Sequence, residues 1–81
     1  MMYKAALRGF DLAKIEEIVR FSYERYTDHI TGSCVVIGPY ENKLVLIPYE
    51  SRGNSMIPIT VHVTSRQQIE FRMKTGRFTH E

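Results

Sequence analysis

At 81 residues, with 43% apolar and 25% charged side chains, the chain has the composition of one ordinary globular domain and no room for a second. A single cysteine, Cys34, excludes an internal disulfide framework and fits a reducing cytoplasm, and apolar runs no longer than 34–37 and 44–47 exclude a membrane-crossing helix. Residues 1–10 carry no apolar secretory segment, and a net charge of +2 gives a polyanionic partner little support by itself.

The distribution of charge says more. Five basic and five acidic side chains balance over residues 1–40, whereas residues 65–80 hold Arg66, Arg72, Lys74 and Arg77 against Glu70 alone. A core this small removes only roughly 60–65% of the unfolded surface from water, so stability is expected to lean on a partner or a second copy.

In chain order, residues 3–8 predict one helical turn ended by Gly9. Asp11 predicts the N-cap of a helix running to about Tyr23. Leu12, Ile15, Ile18, Val19 and Ser22 lie on one face of it, with Lys14, Glu16, Glu17 and Arg20 around the rest. That stripe reads as core. Tyr23, Tyr26 and Thr27, then Val35, Val36 and Ile37, favour strands, with a turn at 28–32 between them. Gly38 and Pro39 open another connection, whose polar tip is Glu41, Asn42 and Lys43. Residues 43–49 carry an unalternating apolar run, expected of a strand buried on both faces, with Pro48 ending it or marking a sheet edge.

Residues 51–55 predict a loop. Beyond it Ile57, Ile59, Val61 and Val63 alternate with Pro58, Thr60, His62 and Thr64, as in a half-buried strand. Its apolar face is expected against the first helix, and Thr60, His62 and Thr64 on the wetter side. Ser65 with Gln68 reads as a capping box, so a helix opens at Arg66; Gly76 stops it, with Lys74 near its last carbonyls. Short turns require antiparallel pairing. The expected fold is therefore α+β: an N-terminal helix, a three- to four-stranded antiparallel sheet and a C-terminal helix.

Several chemistries lack their motifs. GxGxxG, GxxxxGK[ST] and HExxH are absent, and His29, His62 and His80 form no local pair at ligand spacing, so neither a metal nor a cofactor is expected. Glu24 and Asp28 flank Arg25, which suggests surface pairing. Cations, hydroxyls and imidazoles remain. Arg66, Arg72 and Arg77 suit bidentate phosphate contacts, Lys74 adds a point charge, and helix N-terminal amides beside Arg66 suit an anion. An imidazole is the side chain suited to acid–base work near neutrality, which makes His62 a candidate; Tyr49 and Tyr26 offer a ring to stack on a base or a phenol proton. Metal-independent RNA cleavage needs these parts.

The order of residues also resembles a known group. Ala6-Leu7-Arg8-Gly9-Phe10 followed by Ile15-Glu16-Glu17-Ile18-Val19 is similar to the opening of a group of small bacterial proteins of unknown function, themselves similar to BrnT-type toxins of the RelE-like class of toxin–antitoxin ribonucleases. Val35-Val36-Ile37-Gly38, Leu44-Val45-Leu46-Ile47-Pro48-Tyr49 and Ile59 to Arg66 continue the pattern, while Lys4 stands where the group often carries histidine. The resemblance implies a RelE/BrnT-like fold and a cytoplasmic endoribonuclease toxin, or a degenerate relative. It implies RNA as substrate and an antitoxin as partner. His62, Tyr49 and Arg66 are then the catalytic candidates, and Arg66, Arg72, Lys74 and Arg77 the phosphate ligands. The alternative is a non-catalytic interaction module, homodimeric through a strand edge near Pro48 or through Phe71 and Phe78.

Overall fold

The computed structural model describes residues 9–80, so the helical turn expected at 3–8 lies outside it. Asp11 caps α1 (Leu12–Phe21) by accepting from the Ala13 N–H at 2.9 Å, and the expected stripe buries Ile15, Ile18 and Val19. The helix stops two residues short of Tyr23. Ser22 turns extended there, at φ −68° and ψ 139°, and its hydroxyl donates to the Ile37 carbonyl, tying the helix end to the sheet.

The remaining elements are β1 (Glu24–Asp28), β2 (Ser33–Tyr40), β3 (Lys43–Arg52), β4 (Ser55–Pro58), β5 (His62–Thr64), α2 (Arg66–Lys74) and β6 (Phe78–His80). All six strands join one antiparallel sheet in the order β4-β3-β2-β1-β6, with β5 also on β3, so the fold is α+β with a helix on each face. α1 packs on Val36, Val45, Ile47 and Tyr49, and Ile69 of α2 packs on Tyr26, Val35, Ile37, Leu46 and Phe78. β2 and β3 are thus buried on both sides, which accounts for the unalternating run in β3. Gly38 permits the close approach of α1: a Cβ there would lie 2.5 Å from Ile18 Cγ2.

The single strand expected over 57–64 is broken by a bulge. Tyr49 pairs with Pro58 and Leu46 with His62, so the edge carries one residue more than β3 between those pairs. The extra residue reverses the alternation. Ile57, opposite Glu50, and His62, opposite Leu46, share the α2 face, whereas Val63, opposite Val45, takes the α1 face. Val61 joins the α1 core as expected, but Ile59 and Val63 stay exposed.

The bulge also explains Pro48, which neither ends β3 nor lies on an edge. Its carbonyl accepts from the Ile59 N–H at 2.8 Å. An antiparallel residue sends N–H and C=O to the same side, so the missing donor faces the irregular stretch, where no regular ladder bond is lost. β3 runs on to Arg52, and the expected loop shrinks to Gly53 and Asn54, with φ +58° at Gly53.

β6 has no counterpart in the sequence expectation, because one apolar residue among three leaves no periodicity. Gly76, at φ +80°, donates to the Met73 carbonyl at 3.1 Å and turns the chain back so that Phe78 falls opposite Asp28 and His80 opposite Tyr26. Among the described residues no helix is long and apolar enough to cross a membrane.

Candidate nucleic-acid interface

Ser65 Oγ accepts from the Gln68 N–H at 3.2 Å, fixing the start of α2 as expected. The reciprocal half of the capping box is replaced: Gln68 Oε1 accepts from the Thr64 hydroxyl at 3.1 Å. At 3.6 residues per turn, Ile69 and Met73 point into the core, Gln68 and Arg72 lie on one flank, and Arg66 and Glu70 on the other.

The first flank and the sheet enclose a groove of about 600 Å³, lined by Thr31, Ser33, Thr60, His62, Thr64, Gln68, Arg72 and Arg77 among others. His62 and Thr64 reach it because they pair with Leu46 and Leu44, which face α2. Gln68, Arg72 and Arg77 also border an adjoining concavity of about 760 Å³, which adds His29, Ile30 and Phe71. Ile30 and Phe71 are 72% and 67% exposed, so the extension has an apolar wall.

The four cations expected to hold phosphate differ in what they face. Arg77 Nε and Nη2 each donate at 3.0 Å to the two oxygens of Asp28, which also accepts from the Ile30 N–H at 3.0 Å. The Arg77 hydrogen bonds hold the buried Asp28 carboxyl below the usual carboxylate range, outweighing burial, which acts upward. Arg77 is therefore a strut first. Arg66 Nη1 donates to both Glu24 oxygens, at 2.6 and 2.5 Å. Arg72 lies 5.5 Å over the Phe78 ring and, like the exposed Lys74, faces no carboxylate among the described residues. Of these two uncompensated charges, Arg72 lines the groove.

The expected catalytic trio is not brought together. His62 is exposed in the groove, whereas Tyr49 is buried on the opposite face of the sheet beneath Arg25, whose guanidinium lies 5.3 Å over its ring. Arg25 also donates to the Val19 carbonyl rather than pairing with Glu24 or Asp28. Arg66 sits on the far flank of α2. There it meets Glu24, expected only in surface pairing, beside Tyr26, whose phenol was among the expected candidates. Tyr26 donates its hydroxyl proton to Glu24 Oε2 at 2.7 Å, and the His80 ring lies 5.2 Å from the Tyr26 ring.

Burial acts to raise the Glu24 carboxyl, but hydrogen bonds from Arg66 and Tyr26 and the Arg66 charge prevail, and it lies below its ordinary value. Burial, then the Glu24 bond, pushes the Tyr26 phenol up to about 12. Glu24 and Tyr26 share a face by strand alternation, which was legible; Arg66 and His80 arrive only through the crossing of α2 and the β1–β6 pairing.

Phe78 is 2% exposed, stacked on Tyr26 at 5.6 Å, so of the two aromatic residues expected at a dimer contact only Phe71 reaches the surface. Among the described residues no three His, Cys, Asp or Glu side chains gather as a metal site. Comparison with protein-family models, curated proteins and solved structures returned no match.

Proposed function

We propose that this chain binds single-stranded RNA along the groove beside α2, as the toxin half of a cytoplasmic toxin–antitoxin pair or a degenerate relative of such an endoribonuclease. The observation that carries the reading is the groove itself. It unites a guanidinium with no carboxylate partner among the described residues (Arg72) with hydroxyl, amide and imidazole groups, and its extension presents the exposed Phe71 ring. A cation for the backbone, an aromatic face for a base and hydrogen-bonding groups around them are what single strands need. The resemblance of the residue order to small bacterial proteins that themselves resemble BrnT-type toxins points the same way, and the antitoxin would cover the basic side of α2.

Fluorescence anisotropy with a labelled single strand, from about 50 to about 200 mM salt, tests it. Wild type should bind and weaken steeply with salt. Arg72→Gln should bind about tenfold more weakly and lower the salt slope by about one. Absent or salt-insensitive binding refutes the reading. Ile30 and Phe71 favour a second one, a protein-interaction module, for which concentration-dependent self-association without RNA binding is the expected result in sedimentation.

A further inference from the structure

The β4–β5 edge of the sheet is open, apolar and uncharged. Residues 55–64 hold no Asp, Glu, Lys or Arg, and Met56, Ile59 and Val63 are 44%, 40% and 57% exposed. Among the described residues no strand pairs with the outer side of β4 or β5. Exposed sheet edges are ordinarily guarded by charges. Backbone direction makes this one specific. In an antiparallel pair, alternate residues turn both N–H and C=O toward one neighbour. The Pro48 carbonyl takes the Ile59 N–H, so the even-numbered residues of β3 face this edge. Ile57, opposite Glu50, and His62 and Thr64, opposite Leu46 and Leu44, therefore spend their groups on β3. Met56, Pro58, Val61 and Val63 turn outward, Pro58 with a carbonyl alone. The bulge moves this outward set from even to odd numbers, which makes it symmetric about a point between Ile59 and Thr60. Met56 stands as far before that point as Val63 stands after it, and Pro58 matches Val61 in the same way.

We propose that the β4–β5 edge joins two copies of this chain, paired antiparallel about a two-fold axis normal to the sheet. Met56 then lies opposite Val63 of the second copy, and Pro58 opposite Val61 of the second copy. Each Met56–Val63 junction exchanges two backbone hydrogen bonds, and each Val61 N–H meets a Pro58 carbonyl. Met56, opposite Ser51, and Val63, opposite Val45, both project on the α1 face, so their apolar side chains meet across each junction. Such a contact is isologous and closed. The segment matches itself in backbone donors and in side chains, whereas a partner recognised by charge finds none to hold. The cations of residues 65–80 lie on α2 and beside β6. That helix packs on Tyr26, Val35, Ile37, Leu46 and Phe78, toward the other end of the sheet, so the axis keeps the two basic surfaces apart. The two-fold also leaves both α2 helices on one face. The two grooves, each lined by Ile59, Thr60 and His62 at this edge, then meet beside the axis. The pairing does not depend on what the groove binds.

Sedimentation equilibrium of the full chain from about 1 to about 100 µM tests it, and wild type is expected to dimerise over that range. Met56→Glu alone and Val63→Lys alone should each weaken the dimer about tenfold or more, because each sets a lone charge against an apolar side chain of the other copy. Both positions are exposed, and thermal unfolding checks that each variant keeps its fold. The double variant Met56→Glu/Val63→Lys should recover most of the wild-type affinity, since opposite charges then face each other at both junctions. Within one chain these positions stand opposite Ser51 and Val45, about 20 Å apart along β3, so the recovery reports a contact between copies. Wild type that stays monomeric at the highest concentration overturns the proposal and leaves the edge to a strand of a different protein. A dimer untouched by either single substitution overturns it and places the contact elsewhere. Loss in both single variants without recovery in the double overturns the register. RNA binding is measured separately by anisotropy, so its failure and the failure of this pairing are distinguishable.

Discussion

Arg77→Met separates a strut from a phosphate ligand. Methionine keeps much of the stem that lies against Phe78, where the guanidinium sits 5.9 Å from the ring, and removes both 3.0 Å bonds to Asp28. The Asp28 side chain is 6% exposed and would be left with backbone donors, from Ile30 and Thr31. Stranding one partner of a buried pair costs about 3–5 kcal/mol. Arg77 is itself 30% exposed, so water can reach this end of the pair, and the lower end, about 3 kcal/mol, is expected. For a domain of this size that lowers Tm by about 12 °C or more.

The pH dependence has a definite sign. In wild type the folded-state pKa of Asp28 lies below the unfolded value, so its contribution is present above about pH 4 and is lost as pH falls through the folded value. In Arg77→Met, burial without the guanidinium raises that pKa, and acid relieves the variant. The difference between the proteins in urea unfolding should be widest near neutrality and should close toward about pH 3. Asp28→Asn in the Arg77→Met background should recover more than half of the loss. A deficit below about 1 kcal/mol at neutral pH, the range of surface pairs, or one that persists unchanged in acid, refutes the strut.

Arg66→Gln makes the contrast: its side chain is 61% exposed, and a loss within about 1 kcal/mol in the same urea assay is expected despite the shorter contacts. Gly38→Ala sets a Cβ 2.5 Å from Ile18 Cγ2 and should cost about 1–3 kcal/mol in unfolding; an unchanged midpoint would mean that α1 does not sit so close to β2. Ser65→Ala removes the cap on the Gln68 N–H and should lower stability by about 1 kcal/mol, with faster amide exchange confined to the first turn of α2.

What could be read along the chain was whatever depends on near neighbours. The Asp11 and Ser65 caps, the glycine stop at Gly76, the turn at 28–32 and the apolar stripe of α1 are interactions within a few residues, and all are present in the structure. Composition and turn length were enough for an α+β chain with an antiparallel sheet. The Leu44 to Ile47 run marked β3 as buried on both faces before either helix had been placed.

Tertiary structure decided what depends on register and crossing. A single extra residue between Pro58 and His62 reverses which side chains share a face, and alternation read from Ile57 onward has no means of detecting it. β6 exists because Gly76 returns the chain to the open edge of β1, which three residues on their own do not announce. The four cations of residues 65–80 look equivalent in sequence, yet Glu24 and Asp28, each more than 40 residues away from its arginine, neutralise Arg66 and Arg77 and leave Arg72 and Lys74 without a carboxylate partner among the described residues. Local patterning sets which elements form, because their energies come from adjacent residues. Which charge stays exposed, and which imidazole stands near which carboxylate, is set by strand order and helix placement, because those contacts exist only once distant segments have packed.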